Sequence, residues 1–221
     1  MSLFDIDNIF FTVLDYNMSY LEFFGVLFGL LAVWLSAKAN IWSWPVGIVN
    51  VILAFFLYYQ IQLYPDMFLQ VFFFVTNVLG WIRWANPKAG EEDKKNELRV
   101  SYMKWKQFLL ICSIGIVGTI VLGSLASRLH EWFPKFFPLP SAFPYVDSFI
   151  TVMSIVTTFF MIQKKIECWI IWIVVDIVAT YLYYVKGIKF YSFEYLIFTL
   201  LAAYGLWSWI RENKSYTTQQ S

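Results

Sequence analysis

Residues 167–185 read ECWIIWIVVDIVATYLYYV. The interior of this stretch holds one acidic group, Asp176, and no basic one. As a helix rising ~1.5 Å per residue it is ~28 Å long, which matches a hydrocarbon core of ~30 Å. Asp176 lies nine residues in, or ~13 Å at that rise, close to the middle of a bilayer. An ionisable group at that depth is costly and marks a functional position.

Six further stretches have the same character: 20–37, 41–60, 65–84, 107–127, 146–163 and 190–210. Tyr64–Pro65–Asp66, Asn86–Pro87 with Gly90, and the four prolines Pro134, Pro138, Pro140 and Pro144 punctuate them. Composition agrees, with 60% hydrophobic and 14% charged residues, whereas a soluble domain carries roughly 25% charged. Aromatics reach 22%, including 11 Trp and 14 Tyr, residues that gather at membrane interfaces and around flat ligands. The expected fold class is an all-α membrane protein of seven transmembrane helices.

The chain ends and loops complete this reading. Residues 1–17 have no basic leader and are not read as a signal peptide. Asp5, Asn8, Thr12 and Asp15 oppose Leu3, Ile6, Phe10 and Leu14 at helical spacing, so a short N-terminal amphipathic interfacial helix is expected. Residues 85–106 are expected as a charged cytoplasmic linker, and Glu91 and Lys95, at i and i+4, offer a solvated helix as the lesser reading. Residues 211–221 are expected as a mobile cytoplasmic tail. With the N-terminus outside, twelve Lys and Arg fall inside and four outside, which fixes the C-terminus in the cytoplasm.

Several classes are excluded. The net charge of +1 gives no electrostatic footprint for nucleic acid. His130 is the sole histidine, so no His-based triad or zinc cluster can form. Cys112 and Cys168 lack metal or redox spacing and are read as packing groups. Gly118 to Ser124 lacks the lysine of a phosphate-binding loop. No cofactor, metal or enzymatic activity is expected.

The sequence also repeats itself. At an offset of 125 residues Trp44 falls on Trp169, Tyr58–Tyr59 on Tyr183–Tyr184, and Gly80-x-x-x-Trp84 on Gly205-x-x-x-Trp209. Over residues 41–84, 13 of 44 positions are identical without a gap. Two three-helix repeats, 20–84 and 146–210, flank the linker helix 107–127, giving a 3+1+3 bundle of parallel repeats like that of SWEET proteins. On the linker helix Gly115, Thr119, Gly123 and Ser127 recur every four residues and let a neighbour approach. Gly25 and Gly29 do the same on the first helix.

The polar groups inside the spans form two stripes. Trp169, Trp172, Asp176, Thr180 and Tyr183 share one face of the sixth helix. Gln70, Phe74, Asn77, Trp81 and Trp84 share one face of the third. Asn50, in the second helix, is one step from the repeat partner of Asp176, and Trp44 is the repeat partner of Trp169. Indole rings with amides and a carboxylate suit a flat polar ring, and a cationic ring best of all. The candidate substrate-binding set is therefore Trp44, Asn50, Gln70, Phe74, Asn77, Trp81, Trp172, Asp176, Thr180 and Tyr183, enclosed between the repeats. The competing readings are interhelical hydrogen bonding for Asn50, Gln70 and Asn77, a structural bond to Thr or Tyr for Asp176, and anchoring for Trp84, Trp169 and Trp209. Glu22, Asp147 and Glu194 lie near the outer surface, where solvation is expected.

The run Trp42-Ser-Trp-Pro-Val-Gly-Ile-Val-Asn50, then Tyr58–Tyr59, then Gln70 through Asn77 to Gly80-Trp81-x-x-Trp84, resembles the PnuC-type vitamin transporters. Glu167-x-Trp169-x-x-Trp172-x-x-x-Asp176 is similar to them too. The resemblance implies a homotrimer in the bacterial inner membrane that moves nicotinamide riboside by facilitated diffusion, with a cytosolic kinase trapping the product. Thiamine or riboflavin is the alternative cargo. A non-transporting assembly factor or a lipid-modifying enzyme is the reading from another class.

Overall fold

The computed structural model describes residues 5–13, 16–62, 64–135 and 139–217. Seven helices follow a short hairpin: α1 (Tyr20–Ala37), α2 (Ser43–Gln60), α3 (Tyr64–Ala85), α4 (Trp105–Trp132), α5 (Pro144–Ile162), α6 (Glu167–Val185) and α7 (Lys189–Thr217). All seven are long and apolar enough to cross a membrane, and each overlaps one expected span. The chain divides into two compact units, Met1–Arg99 and Val100–Ser221.

In the first unit α2 packs between α1 and α3. The expected N-terminal helix is absent. Its place is taken by an antiparallel hairpin of β1 (Ile9–Val13) and β2 (Tyr16–Ser19), which pairs Thr12 with Asn17 and Val13 with Tyr16. Ile9, Phe10, Phe11, Thr12 and Val13 are β-branched or aromatic, types that fit a pleated surface better than a helix. Phe10 packs on Tyr20 and Phe23 at 4.6 and 4.9 Å between ring centres, so the hairpin's aromatic side closes on α1. Leu3, Leu14 and Asp15 of the expected helix lie outside the described residues. Ser19 and Glu22 form a reciprocal capping box at the start of α1. Glu22 is thus a cap, and the Ser19-x-x-Glu22 spacing was a readable sign of it.

In the second unit α6 packs between α5 and α7, and α4 lies on α5. A Cβ at Gly115 or Gly123 would strike Met153 or Tyr145 of α5, so these glycines hold α4 close to that helix. Gly25 of α1 does otherwise. Its Cβ position has open space, while its carbonyl accepts a bond from Asn50 Nδ2 at 2.7 Å.

The turns of the two units match at the same offset of 125 residues. Ala39 (φ 50°) and Lys164 (φ 51°) take the left-handed conformation after α1 and α5. Asn40 N donates to Leu35 O and Lys165 N to Phe160 O, both at 3.0 Å, closing a Schellman motif in each unit. Gln62 (φ 60°) and Gly187 (φ 78°) likewise take the left-handed conformation after α2 and α6.

The aromatic cores match as well. Trp44 meets Trp84 edge-on, 5.2 Å apart at 87°. Trp169 meets Trp209 at 5.4 Å and 88°. Gly80 and Gly205 receive the Trp44 and Trp169 rings, and a Cβ at either would come within 3 Å of ring carbons. All four indoles are buried, so in each unit a tryptophan pair and a glycine lock two helices together near one end.

The loop before α4 is not a solvated helix. Gly90 (φ 86°) and Asn96 (φ 58°) break helical geometry, and Glu91 pairs with Arg83 at 2.6 Å rather than with Lys95. In the first unit Leu98 N donates to Trp84 O, and Leu98 is buried. In the second, Ser101 bonds both Lys164 O and Ile166 N, and Met103 N donates to the Glu167 carboxylate at 3.0 and 3.1 Å. Asn213 Nδ2 donates to Val100 O at 3.0 Å. The tail also departs from expectation: residues 211–217 continue α7, where Tyr216 donates to Glu212 at 2.7 Å. Residues 218–221 and Pro138 lie outside the described residues.

The glycine pins predict an asymmetric response to substitution. Gly205→Leu forces a branched chain against the Trp169 ring, an overpacking cost of about 1–3 kcal/mol, and its thermal unfolding in detergent falls. Gly25→Ala, with open space at its Cβ, shows no loss in the same assay.

Candidate functional site

The candidates on the first unit split into packing groups and open ones. Trp44 is buried, packed on Gly80 and Trp84, and so acts as a pin of α2 to α3. Asn50 ties α2 to α1 through the Gly25 carbonyl. Asn77 Nδ2 donates to Phe73 O at 2.8 Å within α3. Its side chain lies over Gly47, where a Cβ would overlap Oδ1. For these two amides the structure displays the interhelical and helix-internal contacts anticipated by the competing reading. Gln70 and Phe74 come together in a cleft of about 280 Å³ with Val51, Ile52, Phe55 and Val71. Phe74 and Trp81 are both exposed.

The second unit gathers its candidates along the edge of α6 that meets α7. Trp169 packs on Gly205 and Trp209 at one end. Thr180 O accepts from Ser192 Oγ at 2.9 Å. Tyr183 stacks on Tyr195 with centres 5.3 Å apart and planes 8° from parallel, and packs on Tyr191 at 5.5 Å. Asp176 falls between these contacts, on the same helical face. Trp172, one turn earlier, is half-buried.

Asp176 is the exceptional residue. It is 4% exposed. Thr180 Oγ1 donates 2.7 Å to its main-chain carbonyl, not to its carboxylate. Among the described residues no side chain or amide donates to that carboxylate, and no Lys or Arg forms an ion pair with it. The structural hydrogen bond that competed with a functional role is therefore not made by the carboxylate. Buried charges are ordinarily paired, and one left without a protein partner asks for a ligand.

Sequence reasoning left out the α7 side of this edge. Ser192, Glu194 and Tyr195 carry its polar and aromatic groups, and Glu194 is half-buried rather than solvated. The missed signal was the close spacing of Tyr191, Ser192, Glu194 and Tyr195 opposite the Asp176 stripe. At the far end of α6, Lys186 bonds Asp147 at 2.8 Å, so Asp147 is paired and not simply solvated.

Known proteins share this architecture. The sequence profile described as the nicotinamide mononucleotide transporter matches residues 19–211. The nicotinamide riboside transporter PnuC of Escherichia coli K12 is 30% identical over 210 residues, covering 88% of this chain and 87% of the relative. The riboflavin/roseoflavin transporter RibM of Streptomyces davaonensis is 25% identical over 199 residues, covering 90% and 88%. The crystal structure of the vitamin B3 transporter PnuC superposes with a TM-score of 0.68 at 26% identity, covering 89% of this chain and 83% of that one. The match over nearly the whole length assigns the seven helices to one group, and the chain belongs to the nicotinamide mononucleotide transporter family.

Proposed function

We propose that this chain carries nicotinamide riboside across the bacterial inner membrane by facilitated diffusion. The observation that carries the reading is the Asp176 carboxylate, buried mid-helix with no donor among the described residues. The pyridinium of nicotinamide riboside is a flat cation bearing an amide. It supplies the charge that Asp176 lacks and the faces that Trp172 and the tyrosines can stack on. Thr180 and Tyr183 on α6 complete the proposed substrate residues of the second unit, and Gln70, Phe74 and Trp81 on α3 are those proposed for the first. Trp44 and Asn50 support it by holding α2.

Charge also selects the unphosphorylated form. Every Lys and Arg stands in a loop or within two turns of a helix end, while Asp176 lies mid-span. A mononucleotide would bring a phosphate beside a carboxylate with no mid-span cation to offset it. The relatives named for the riboside favour the same cargo. Thiamine, also an aromatic cation, is the alternative, and the riboflavin/roseoflavin relative keeps riboflavin as a third.

The finer architecture is part of this proposal. The recurrence of turns and tryptophan pins at 125 residues supports a duplicated three-helix unit, α1–α3 and α5–α7, joined through α4. The excess of Lys and Arg in the loops after α1, α3 and α5 supports an outer N-terminus and a cytoplasmic C-terminus. Assembly as a homotrimer, and capture of the vitamin by a cytosolic nucleoside kinase, complete the proposed cycle.

In proteoliposomes, labelled nicotinamide riboside should enter down its gradient without ATP or an ion gradient. Asp176→Ala or Trp172→Ala should lower uptake at least tenfold with the helical circular dichroism unchanged. Wild-type rates from both variants would remove these residues from the site. Nicotinamide mononucleotide should neither enter nor compete at equal concentration, and its uptake at a comparable rate would overturn the charge argument.

A further inference from the structure

The α6–α7 edge carries a second carboxylate that the cargo reading does not use. Three contacts set the register of this edge: Trp169 on Gly205, Ser192 Oγ on Thr180 O, and Tyr195 on Tyr183. They place Asp176 level with residues near Thr199, and Glu194 level with residues near Tyr181. The two carboxylates are therefore offset by about five residues along the helices, ~7–8 Å at the helical rise. Glu194 also falls within ~20° of Gly205 around α7, at about 100° per residue. It thus shares the face that receives the Trp169 ring.

Glu194 is half-buried, and among the described residues nothing donates to its carboxylate and no base pairs with it. Lys186, more than one turn beyond this level at the end of α6, is committed to Asp147 at 2.8 Å. Its Nζ also stands 5.7 Å from the Tyr183 ring centre, which illustrates the pull of that ring on positive charge. Glu194 and the stacked Tyr183–Tyr195 pair thus combine a free carboxylate with aromatic faces, the two groups that hold an aromatic or quaternary cation.

We propose that Glu194, beside the Tyr183–Tyr195 stack, is a second binding station for the positively charged ring of the cargo. It lies one to two helical turns from Asp176, and it adds to the discrimination of cationic from neutral vitamins. The offset between the stations is comparable to the length of a nucleoside, so a ring can pass from one carboxylate to the other without leaving a negative field. This rests on the cationic-cargo reading above.

The test uses the full-length protein in liposomes and two probes of nearly the same shape: nicotinamide riboside, a cation, and its reduced dihydropyridine form, which is neutral. Glu194→Gln should raise the half-saturating concentration of the cation by about tenfold, the size of one carboxylate–cation interaction at a half-buried position still largely screened by water. The neutral form should be carried as by the wild type. Glu194→Asp, which keeps the charge, should retain most of the affinity for the cation. Unchanged kinetics of Glu194→Gln with both probes would overturn the station, as would equal losses in the Gln and Asp variants or an equal loss for both probes. Failure of the wild type to carry either probe would instead overturn the cargo reading, and this station with it.

Discussion

A carboxylate held inside an apolar helix bundle, with no partner among the described residues, is the constraint on which this molecule turns. The Asp176 side chain is buried in α6, and the hydroxyl one turn on, that of Thr180, spends its hydrogen bond on the backbone. Folding alone gives no reason to keep such a group, because removing charge from low dielectric is favourable. A cationic ligand does give one. In the proposed function, the same charge that burdens the empty protein would attract an aromatic cation and repel a phosphate, so one residue would bear on affinity and cargo choice together.

The rest of the fold makes that arrangement tolerable. Each unit is locked near one end by a perpendicular tryptophan pair seated on a glycine. In the second unit the loop after α5 is also bound to the chain before α4, through Ser101 and Glu167. Rigid pins at that end fix how α6 lies on α7, and so fix what stands beside Asp176. The other end of α6 is held to α7 by stacked tyrosines and to α5 by the Lys186–Asp147 ion pair. Exposed pairs of that kind are worth ~0–1 kcal/mol, far less than a buried indole contact.

Much of this was legible in the sequence. Hydropathy and turn residues located all seven helices, because a span must be long, apolar and internally hydrogen-bonded. The 125-residue offset found Trp44, Trp84, Trp169 and Trp209 and the two glycines, and Asp176 stood out by depth alone. What was not legible depended on partners distant in the chain. Trp44 and Asn50 looked like ligand groups until Gly80 and Gly25 were seen against them. The N-terminal segment read as an amphipathic helix because its polar residues fall at helical spacing, yet its run of β-branched and aromatic residues pairs as a hairpin. Glu194 was set aside as solvated because depth was counted along α7 alone, without the register that Ser192 and Tyr195 impose on α6.

The central claim is that Asp176 is retained for a ligand and against stability. Thermal unfolding of the purified wild type and Asp176→Asn, each with and without nicotinamide riboside, addresses it most directly. If the claim holds, Asp176→Asn melts above the wild type when both are empty, and the vitamin raises the melting temperature of the wild type only. A lower melting temperature for the empty variant, or an undiminished ligand shift in it, would make the carboxylate a structural group and contradict the claim.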